Sequence, residues 1–242
     1  MNWAAISKTQ EEIKAGALYI VSTPIGNLAD ISLRALFVLD QVQLIAAEDT
    51  RTSSHLLQHY DIVKKLFPYH DHNKEKVTPV IVDKLSAGES VAVISDAGTP
   101  GISDPAFYLV REAIKLNIPV IAIPGAAAFL TALVVSGLPT DRFVFEGFLP
   151  VKKGRLTRLE QIKDDPRTLI FYESAKRLPR TVRDLFNVLG DRQIVIAREL
   201  TKKFEKIVHG SLSTILDNNE LILKGEFVIL VEGWTRKLKR NL

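Results

Sequence analysis

The sequence has no cysteine and no long hydrophobic run. The lack of cysteine excludes disulfides and thiolate metal sites, and it agrees with a reducing compartment. No apolar stretch reaches the roughly 18–20 residues that a membrane-spanning helix needs. The N-terminal segment MNWAAISKTQEEIKAG has no apolar core of signal-peptide length. We therefore expect neither a membrane partner nor a secretion signal.

Several short functional motifs are also missing. No GxGxxG follows the first predicted strand, and no GxxxxGK[ST] occurs, which excludes the dinucleotide-binding fingerprint and the P-loop. His55 and His59 are spaced as two metal ligands on one helix face, but no glutamate stands between them as HExxH requires. We interpret this pair as an exposed helix face and predict no metal site.

Positive charge is unevenly distributed along the chain. Residues 1–127 hold 11 Lys and Arg against 14 Asp and Glu, a net charge of −3. Residues 128–242 hold 21 against 14, a net charge of +7. A basic half beside an acidic half suggests a polyanionic partner, although solvated helix faces explain the same charges.

Short apolar runs alternate with helical patterns, which predicts an α/β fold with two domains, at residues 1–137 and 138–242. The boundary follows the stop signal Ser136-Gly137-Leu138-Pro139, which ends a predicted buried helix at residues 126–136. We expect a mostly parallel sheet in the first domain and a mixed sheet in the second. In the first domain the predicted strands are 17–22, 43–47, 91–95 and 119–123, and the predicted helices are 30–40, 52–60, 75–87 and 105–116. In the second domain the predicted strands are 143–149, 168–174, 193–200, 204–210 and 226–233, and the predicted helices are 154–164 and 176–189.

Three loops rich in small residues follow predicted strands of the first domain, at residues 22–30, 95–105 and 123–128. Loops with few Cβ atoms let a ligand approach the backbone, and ligands of open α/β sheets bind beyond the carboxyl ends of strands. These loops contain no Lys or Arg, whereas Asp96 and Asp104 favour a neutral or cationic ligand. S-adenosylmethionine, a sulfonium cation with an adenine, fits that description. Three ordinary tight turns are the alternative.

A charged cluster follows the second predicted strand and contains Glu48, Asp49 and Arg51. Glu48 or Asp49 is a candidate base or orienting group, and Arg51 is a candidate partner in the active site or for a phosphate. The structural alternative is that Asp49 or Thr50 is the N-cap of the helix predicted at residues 52–60, with Glu48 near its positive end.

Cations are concentrated next to a Pro/Gly loop of the second domain, where Lys152, Lys153, Arg155 and Arg158 occur within seven residues. Such a cluster suits RNA phosphates. Arg177, Arg180 and Arg183 form a second row at helical spacing. Solvated helix faces are the alternative for both rows.

Eight blocks of sequence resemble the family of ribosomal RNA small subunit methyltransferases I, within the tetrapyrrole-methylase-like class of S-adenosylmethionine-dependent methyltransferases. The resemblance extends from about residue 17 to residue 233, and AEDTR and SDAGTPGISDP are its most specific parts. The blocks are LYIVSTPIGNLADISLRAL, AAEDTRTS, SDAGTPGISDP, IPGAAAFLTAL, FVFEGFLP, FYES, ARELTK and GEFVILVEG.

The resemblance implies methyl transfer from S-adenosylmethionine to the ribose 2′-oxygen of a cytidine in 16S rRNA, at the decoding centre. It also implies a cytoplasmic homodimer that acts on the assembled small (30S) subunit, with the cofactor in a cleft between two α/β domains. A tetrapyrrole methyltransferase, which shares the fold, is one alternative. A ribosome-assembly factor that binds RNA without catalysis is another.

The resemblance also implies roles for individual residues. It places Pro24, Gly26, Asn27 and Asp30 on the substrate side. It also favours RNA contact over a solvated helix face for the first basic row, at residues 152–158. The implied cofactor contacts are Asp96, Ala97, Gly98, Ile102, Ser103, Pro124, Gly125, Ala126, Ala127, Tyr172, Arg198 and Glu199.

The sequence departs from the family pattern in three places. Ala106 replaces a glycine after SDP, and Ala175-Lys176 replaces Pro-His after FYES, which leaves the role of that loop open. Longer relatives continue past the last predicted strand. We expect that any RNA contact made there is either lost in this chain or supplied by the basic residues 236–240.

Overall fold

A computed structural model describes residues 12–217 and 224–235. The chain forms two compact units, Met1–Ala127 and Ala128–Leu242. The boundary precedes the predicted one at residue 137 because the helix that begins at Ala128 packs on the sheet of the second unit. The basic segment 236–240 lies outside the described residues.

The first unit is built on a sheet of five parallel strands in the order β3-β2-β4-β1-β5, and helices connect the strands. Its strands are β1 (Leu18–Val21), β2 (Leu44–Ala47), β3 (Leu66–Pro68), β4 (Val91–Ile94) and β5 (Val120–Ile123). Its helices are α1 (Leu33–Gln41), α2 (Thr50–His59), α3 (Lys74–Ser86) and α4 (Ala106–Lys115), with a short 3-10 turn at Leu28–Asp30.

The central strands are apolar throughout because helices cover both faces of a parallel sheet. All four residues of β2 and all four of β4 are buried. This continuous apolar pattern is what allowed the strands to be predicted, and the parallel sheet is confirmed. Strand β3 was not predicted, since it has three residues and ends at Pro68.

The second unit contains a mixed sheet in the order β6-β7-β10-β8-β9, in which only the β6–β7 pair is parallel. The predicted mixed sheet is therefore confirmed. Its strands are β6 (Phe143–Phe148), β7 (Thr168–Ser174), β8 (Gln193–Arg198), β9 (Lys206–Ser211) and β10 (Glu226–Val231). Its helices are α5 (Ala128–Val135), α6 (Arg155–Ile162), α7 (Leu178–Leu189) and α8 (Leu212–Asp217).

Helix α5 differs from the buried helix that its apolar sequence predicted. Ala132 and Leu133 are buried, whereas Leu130, Val134 and Val135 are exposed. One face of the helix packs on β7 and β10, and the opposite face reaches the surface although it is equally apolar. Among residues 12–217 and 224–235, no helix is both long enough and apolar enough to cross a membrane.

Candidate functional site

Four neighbouring strands of the first unit end at the same edge of the sheet. The strands are β2, β4, β1 and β5, and because they are parallel their carboxyl ends lie side by side. The loops that follow them contain residues 48–51, 95–105, 22–30 and 124–127. The topology thus brings the four segments singled out from the sequence to one edge.

The loops after β1 and β4 are joined by an isolated antiparallel bridge between Thr23 and Gly98. The Thr23 amide donates to the Gly98 carbonyl at 2.8 Å, and the Gly98 amide donates to the Thr23 carbonyl at 3.1 Å. The buried Thr23 hydroxyl also donates to the Ser95 carbonyl at 3.2 Å. These bonds fix the first half of the SDAGTPGISDP segment against the loop that the sequence placed on the substrate side.

The loop after β5 is held to the same assembly by Ser22 and Thr99. Their hydroxyl oxygens are 2.9 Å apart, and the Thr99 hydroxyl donates to the Ala126 carbonyl at 3.1 Å. A Cβ atom added at Gly125 would lie 2.8 Å from the Cβ of Ser22. Glycine is therefore favoured at position 125, because the Cβ of Ser22 lies where a side chain at this position would begin.

Asp96 connects the loop after β4 to the charged cluster after β2. The Asp49 amide donates to the Asp96 carboxylate at 2.9 Å, and the Asp96 amide donates to the Glu48 carboxylate at 3.4 Å. The carboxylates of Glu48 and Asp96 are therefore close enough to repel each other. This edge of the sheet is acidic, as the sequence indicated, and suits a cationic ligand better than a phosphate.

Asp49 has the structural role that was the alternative reading of its cluster. Its carboxylate caps helix α2 by accepting from the Arg51 amide at 2.8 Å. It also accepts from the Arg51 guanidinium at 3.1 and 2.7 Å. These hydrogen bonds lower the pKa of Asp49 to about 2. A carboxylate held so firmly in its ionised form is a weak proton acceptor.

Glu48 differs from its neighbour in the direction of its pKa shift. Burial raises the pKa of the Glu48 carboxyl, and the nearby charges of Asp96, Asp104 and Asp71 raise it further. The bond from the Asp96 amide opposes this rise but does not cancel it. Of the two carboxylates that the sequence offered, Glu48 is the better candidate for a general base.

Asp104 forms hydrogen bonds within its own loop. Its carboxylate accepts from the Gly101 amide and from the Ala106 amide, both at 2.8 Å. The charge of Asp104 still acts on the edge, since it raises the pKa of Glu48. Between these anchors the backbone of Ser103 has a φ of +68°, and the Ile102 side chain is exposed. The loop is held in a strained conformation that presents residues 101–103 to solvent.

The loop at residues 22–30 is held by Asn27, a predicted site residue, and by Tyr60, which no sequence pattern singled out. Asn27 caps the 3-10 turn at Leu28–Asp30 by accepting from the Ala29 amide at 3.1 Å. The Tyr60 hydroxyl, from the C-terminal cap of α2, donates to the Leu28 carbonyl at 2.5 Å. Only the tertiary fold brings these residues together, since 32 positions separate them.

In the second unit, Tyr172 lies within an aromatic cluster. Its ring centroid is 4.9 Å from that of Phe145 and 5.6 Å from that of Phe148, and both contacts are edge-on. The Tyr172 hydroxyl accepts from the Phe129 amide at 3.2 Å, and burial raises its pKa. Phe148 is more than half exposed, so the cluster presents aromatic surface to solvent.

Arg198 and Glu199, which the resemblance placed at the cofactor, are engaged within their own unit. The Arg198 guanidinium donates to the Lys224 carbonyl at 2.7 Å and to the Phe204 carbonyl at 3.3 Å. The Glu199 carboxylate accepts from the Glu226 amide at 2.9 Å and from Lys202 at 3.0 Å. Their polar atoms therefore hold the turn that follows β8.

The basic row at residues 152–158 is divided by the structure. Arg155 is only 2% exposed and donates to Asp184 at 2.6 Å and to the Thr181 hydroxyl at 2.7 Å. Arg158 forms two bonds of 2.7 Å to Glu146. The RNA-contact interpretation is corrected for Arg155, because a buried, paired guanidinium is not available to a phosphate. No local pattern predicts these partners, because they lie on other elements of the second unit.

Lys152 and Lys153 remain exposed in the same segment. In the part of the chain that the structure describes, no carboxylate lies within 4 Å of either ammonium group. The second row is mostly engaged. Arg177 pairs with the buried Glu173 and donates to the Leu149 carbonyl, and Arg180 donates to the Val151 carbonyl at 3.3 Å.

No cluster of three or more histidine or acidic side chains suited to a metal ion occurs within residues 12–217 and 224–235. The edge of the first unit's sheet therefore combines close backbone approach, carboxylates and an acid of raised pKa. The second unit, described by itself, presents exposed lysines at residues 152 and 153 and the exposed ring of Phe148.

The profile of the family "Tetrapyrrole (Corrin/Porphyrin) Methylases" matches residues 17–216. Relatives named "Ribosomal RNA small subunit methyltransferase I" are 53% identical in Haemophilus influenzae and 52% identical in Escherichia coli O157:H7. Each alignment covers 90% of this chain and 79% or 78% of the relative. The chain belongs to the tetrapyrrole methylase family, in the branch of these relatives. The recognition made from the sequence blocks is confirmed.

Solved structures of tetrapyrrole methylases share the fold at low sequence identity. A uroporphyrin-III C-methyltransferase from Thermus thermophilus, complexed with S-adenyl homocysteine, is 18% identical with a TM-score of 0.63. That alignment covers 93% of this chain and all of the other. Cobalt precorrin-4 methyltransferase is also 18% identical, with a TM-score of 0.59, over 92% of this chain and 98% of the other.

Proposed function

We propose that the protein transfers a methyl group from S-adenosylmethionine to the ribose 2′-oxygen of a cytidine in 16S rRNA. The proposed substrate is the decoding centre of the assembled small subunit in the cytoplasm. The observation that carries the proposal is the similarity to ribosomal RNA small subunit methyltransferases I, at about 50% identity over nine tenths of the chain. The family profile at residues 17–216 includes every loop of the acidic edge, at residues 22–30, 48–51, 95–105 and 124–127.

The loops after β4 and β5 fit S-adenosylmethionine. Gly125 lets the loop after β5 approach the Ser22 side chain closely, and residues 95–105 and 123–128 contain no cation that would repel a sulfonium. When bound, this cofactor supplies a methyl group on a positively charged sulfur. We propose that Asp96, Ala97, Gly98, Ile102, Ser103 and residues 124–127 hold it. Tyr172 remains a proposed contact, and Arg198 and Glu199 would contribute through the backbone of their turn.

Glu48 is the proposed general base. A ribose hydroxyl is a poor nucleophile at neutral pH, so removal of its proton during methyl transfer speeds the reaction. Glu48 would accept that proton on a carboxylate whose pKa is raised by burial. Arg51 keeps Asp49 ionised and in place as the cap of α2, so Asp49 orients the start of the helix that Glu48 precedes.

RNA contacts are assigned to two sets of residues. On the first unit, residues 24–30 would contact the substrate, since the Tyr60 bond and the Asn27 cap hold their conformation. On the second unit, Lys152 and Lys153 would contact phosphates, with Arg158 secondary because Glu146 already neutralises it. We also propose that the protein is a homodimer. The exposed apolar side chains of Leu130 and Val134 on α5 support this, because such surface is favourable when a partner covers it.

The test is methyl transfer from labelled S-adenosylmethionine to 30S subunits that lack the modification, followed by nucleoside analysis. We expect label in 2′-O-methylcytidine. Label in another nucleoside would refute the assigned position and keep an RNA substrate. Cofactor binding without any transfer to RNA, together with turnover of a porphyrinogen, would replace the proposal by tetrapyrrole methylation. Binding to 30S subunits without cofactor binding would indicate a non-catalytic assembly factor.

A further inference from the structure

The turn between β8 and β9 presents an isolated aromatic ring to solvent. Residues 199–205 read ELTKKFE, and the Phe204 side chain is 63% exposed. Lys203 and Lys206, on either side of it, are exposed as well. Exposing so much apolar surface is unfavourable unless the ring has a partner.

The backbone of this turn is rigidly held. The Arg198 guanidinium donates to the Phe204 carbonyl at 3.3 Å, next to its bond to the Lys224 carbonyl. The Thr201 amide donates to the Glu205 carboxylate at 2.5 Å, and the Glu205 amide donates to the Lys202 carbonyl at 3.0 Å. Phe204 is thus exposed on a braced loop, and its position is set in advance of binding.

Holding the turn in this shape is costly. Glu199 and Thr201 have φ angles of +49° and +66°, which non-glycine residues rarely adopt. A Cβ at Gly225 would lie 2.6 Å from the Glu199 side chain, so glycine is required beside it. Thr201 Oγ1 is buried without a hydrogen-bond partner among the described residues. Such departures from local rules concentrate where function maintains them.

The charge around the ring is positive. Lys202 is neutralised by Glu199 and Glu226, and Glu205 is bonded to the turn itself. Lys203, Lys206 and Lys224 are exposed, and the described residues provide no carboxylate within 4 Å of them. The Lys203 ammonium lies 5.8 Å from the centroid of the Phe204 ring. An aromatic ring flanked by free lysines matches a base and its phosphates better than an apolar protein surface.

We propose that Phe204 is a stacking platform for an unpaired base of the RNA substrate, with Lys203 and Lys206 at the adjoining phosphates. The inference rests on the proposed function, because it assumes an RNA substrate. It adds a substrate-binding site that is separate from the lysines at residues 152 and 153. Stacking requires only the π-face of a base, so the platform would set affinity and orientation rather than sequence preference.

The test compares Phe204→Ala, Phe204→Leu and Phe204→Trp in the full-length protein. We expect the affinity for 30S subunits to fall roughly 5- to 100-fold in the first two variants and to be retained in the third. Phe107→Ala is the matched control, since Phe107 is also 63% exposed and lies on α4 of the first unit. Cofactor affinity and melting temperature should not change in any variant. Quenching of Phe204→Trp by a single-stranded RNA oligonucleotide, beyond that of the wild type with its Trp3 and Trp234, reports stacking.

Three results would overturn the platform. Unchanged RNA affinity in Phe204→Ala is the first, and full retention in Phe204→Leu is the second, because leucine keeps apolar contact without stacking. The third is tryptophan fluorescence of Phe204→Trp that the RNA oligonucleotide quenches no more than it quenches the wild type. If the wild-type protein transfers no methyl group to 30S subunits, the proposed function fails. The oligonucleotide measurements still decide the platform, because they need no catalysis.

Discussion

The acidic edge of the first unit, formed by the loops after β2, β4, β1 and β5, differs from the basic row at residues 152–158 of the second unit. The difference lies in which groups their polar side chains and amides bind. At the acidic edge, the bonds run between loops, as from Thr23 to Gly98 and from Asp49 to Asp96. In the basic row, Arg155 and Arg158 bind carboxylates of their own unit. The loops of the edge are thus held to one another, whereas two of the four cations in the basic row are already paired.

This difference follows from how each region is encoded. The carboxyl ends of parallel strands lie at one edge of the sheet, so small-residue loops that follow such strands lie close together. A sequence that predicts the strands therefore also predicts the position of the candidate site. For a Lys or Arg beside a Pro/Gly loop, the local sequence does not show whether a carboxylate on another element pairs with it. Local charge therefore overestimates the number of groups available to a polyanion.

The largest effect on activity is expected at Glu48. Replacing Glu48 by Gln should lower kcat for RNA methylation by about 10²- to 10⁴-fold, the usual contribution of a general base. Arg51→Ala serves as the control and should cost much less, because the Arg51 side chain is 87% exposed and does not hold the proton. Single-turnover kinetics would measure both. Equal, small losses would remove Glu48 as the base.

The raised pKa of Glu48 also fixes the sign of two pH effects. Activity should fall as the pH drops through a value above the ordinary 4.5, because the base must be ionised. A carboxyl whose pKa is raised by folding favours the folded state at low pH and loses that contribution as pH rises. Glu48→Gln should therefore be at least as stable as wild type at pH 7, which thermal melts at several pH values would show. A lower melting temperature would indicate a structural role instead.

The next effect concerns stability. Arg155→Ala should destabilise the protein by about 3 kcal/mol, because it removes a buried guanidinium that bonds Asp184 and Thr181 and leaves Asp184 only the more distant Arg180, at 3.7 Å. Lys153→Ala, an exposed neighbour, should change the free energy of unfolding by less than about 0.5 kcal/mol. Urea titrations would compare them. If Arg155→Ala proved as stable as Lys153→Ala and instead weakened RNA binding, the division of the basic row would be wrong.

A smaller effect is expected for the exposed lysines. Replacing Lys152 and Lys153 together by Ala should weaken 30S binding several-fold at low salt and reduce the dependence of affinity on salt by about two released counterions. Cofactor affinity should be unchanged. Binding measured over a series of salt concentrations checks this, and an unchanged salt dependence would exclude both lysines from the RNA contact.

Much of the fold could be predicted because the buried strands of the first unit are apolar along their whole length, as in β2 and β4. Helix α5 was misjudged, since Leu130 and Val134 are apolar and yet exposed. Asp104 was predicted to contribute negative charge, and its bonds to the amides of Gly101 and Ala106 appear only in the structure. Choosing Glu48 over Asp49 required the distances to Arg51 and Asp96, which no local pattern contains.

The measurement that tests the account most directly is calorimetric titration of S-adenosylmethionine into Gly125→Ala. A methyl group there would displace the loop after β5 from Ser22, and we expect at least a tenfold loss of cofactor affinity. The double variant Ser22→Gly, Gly125→Ala removes the clashing Cβ and should recover affinity toward that of Ser22→Gly alone. Affinity for 30S subunits should stay unchanged. Wild-type cofactor affinity in Gly125→Ala would contradict the claim that close backbone approach at this edge forms the cofactor site.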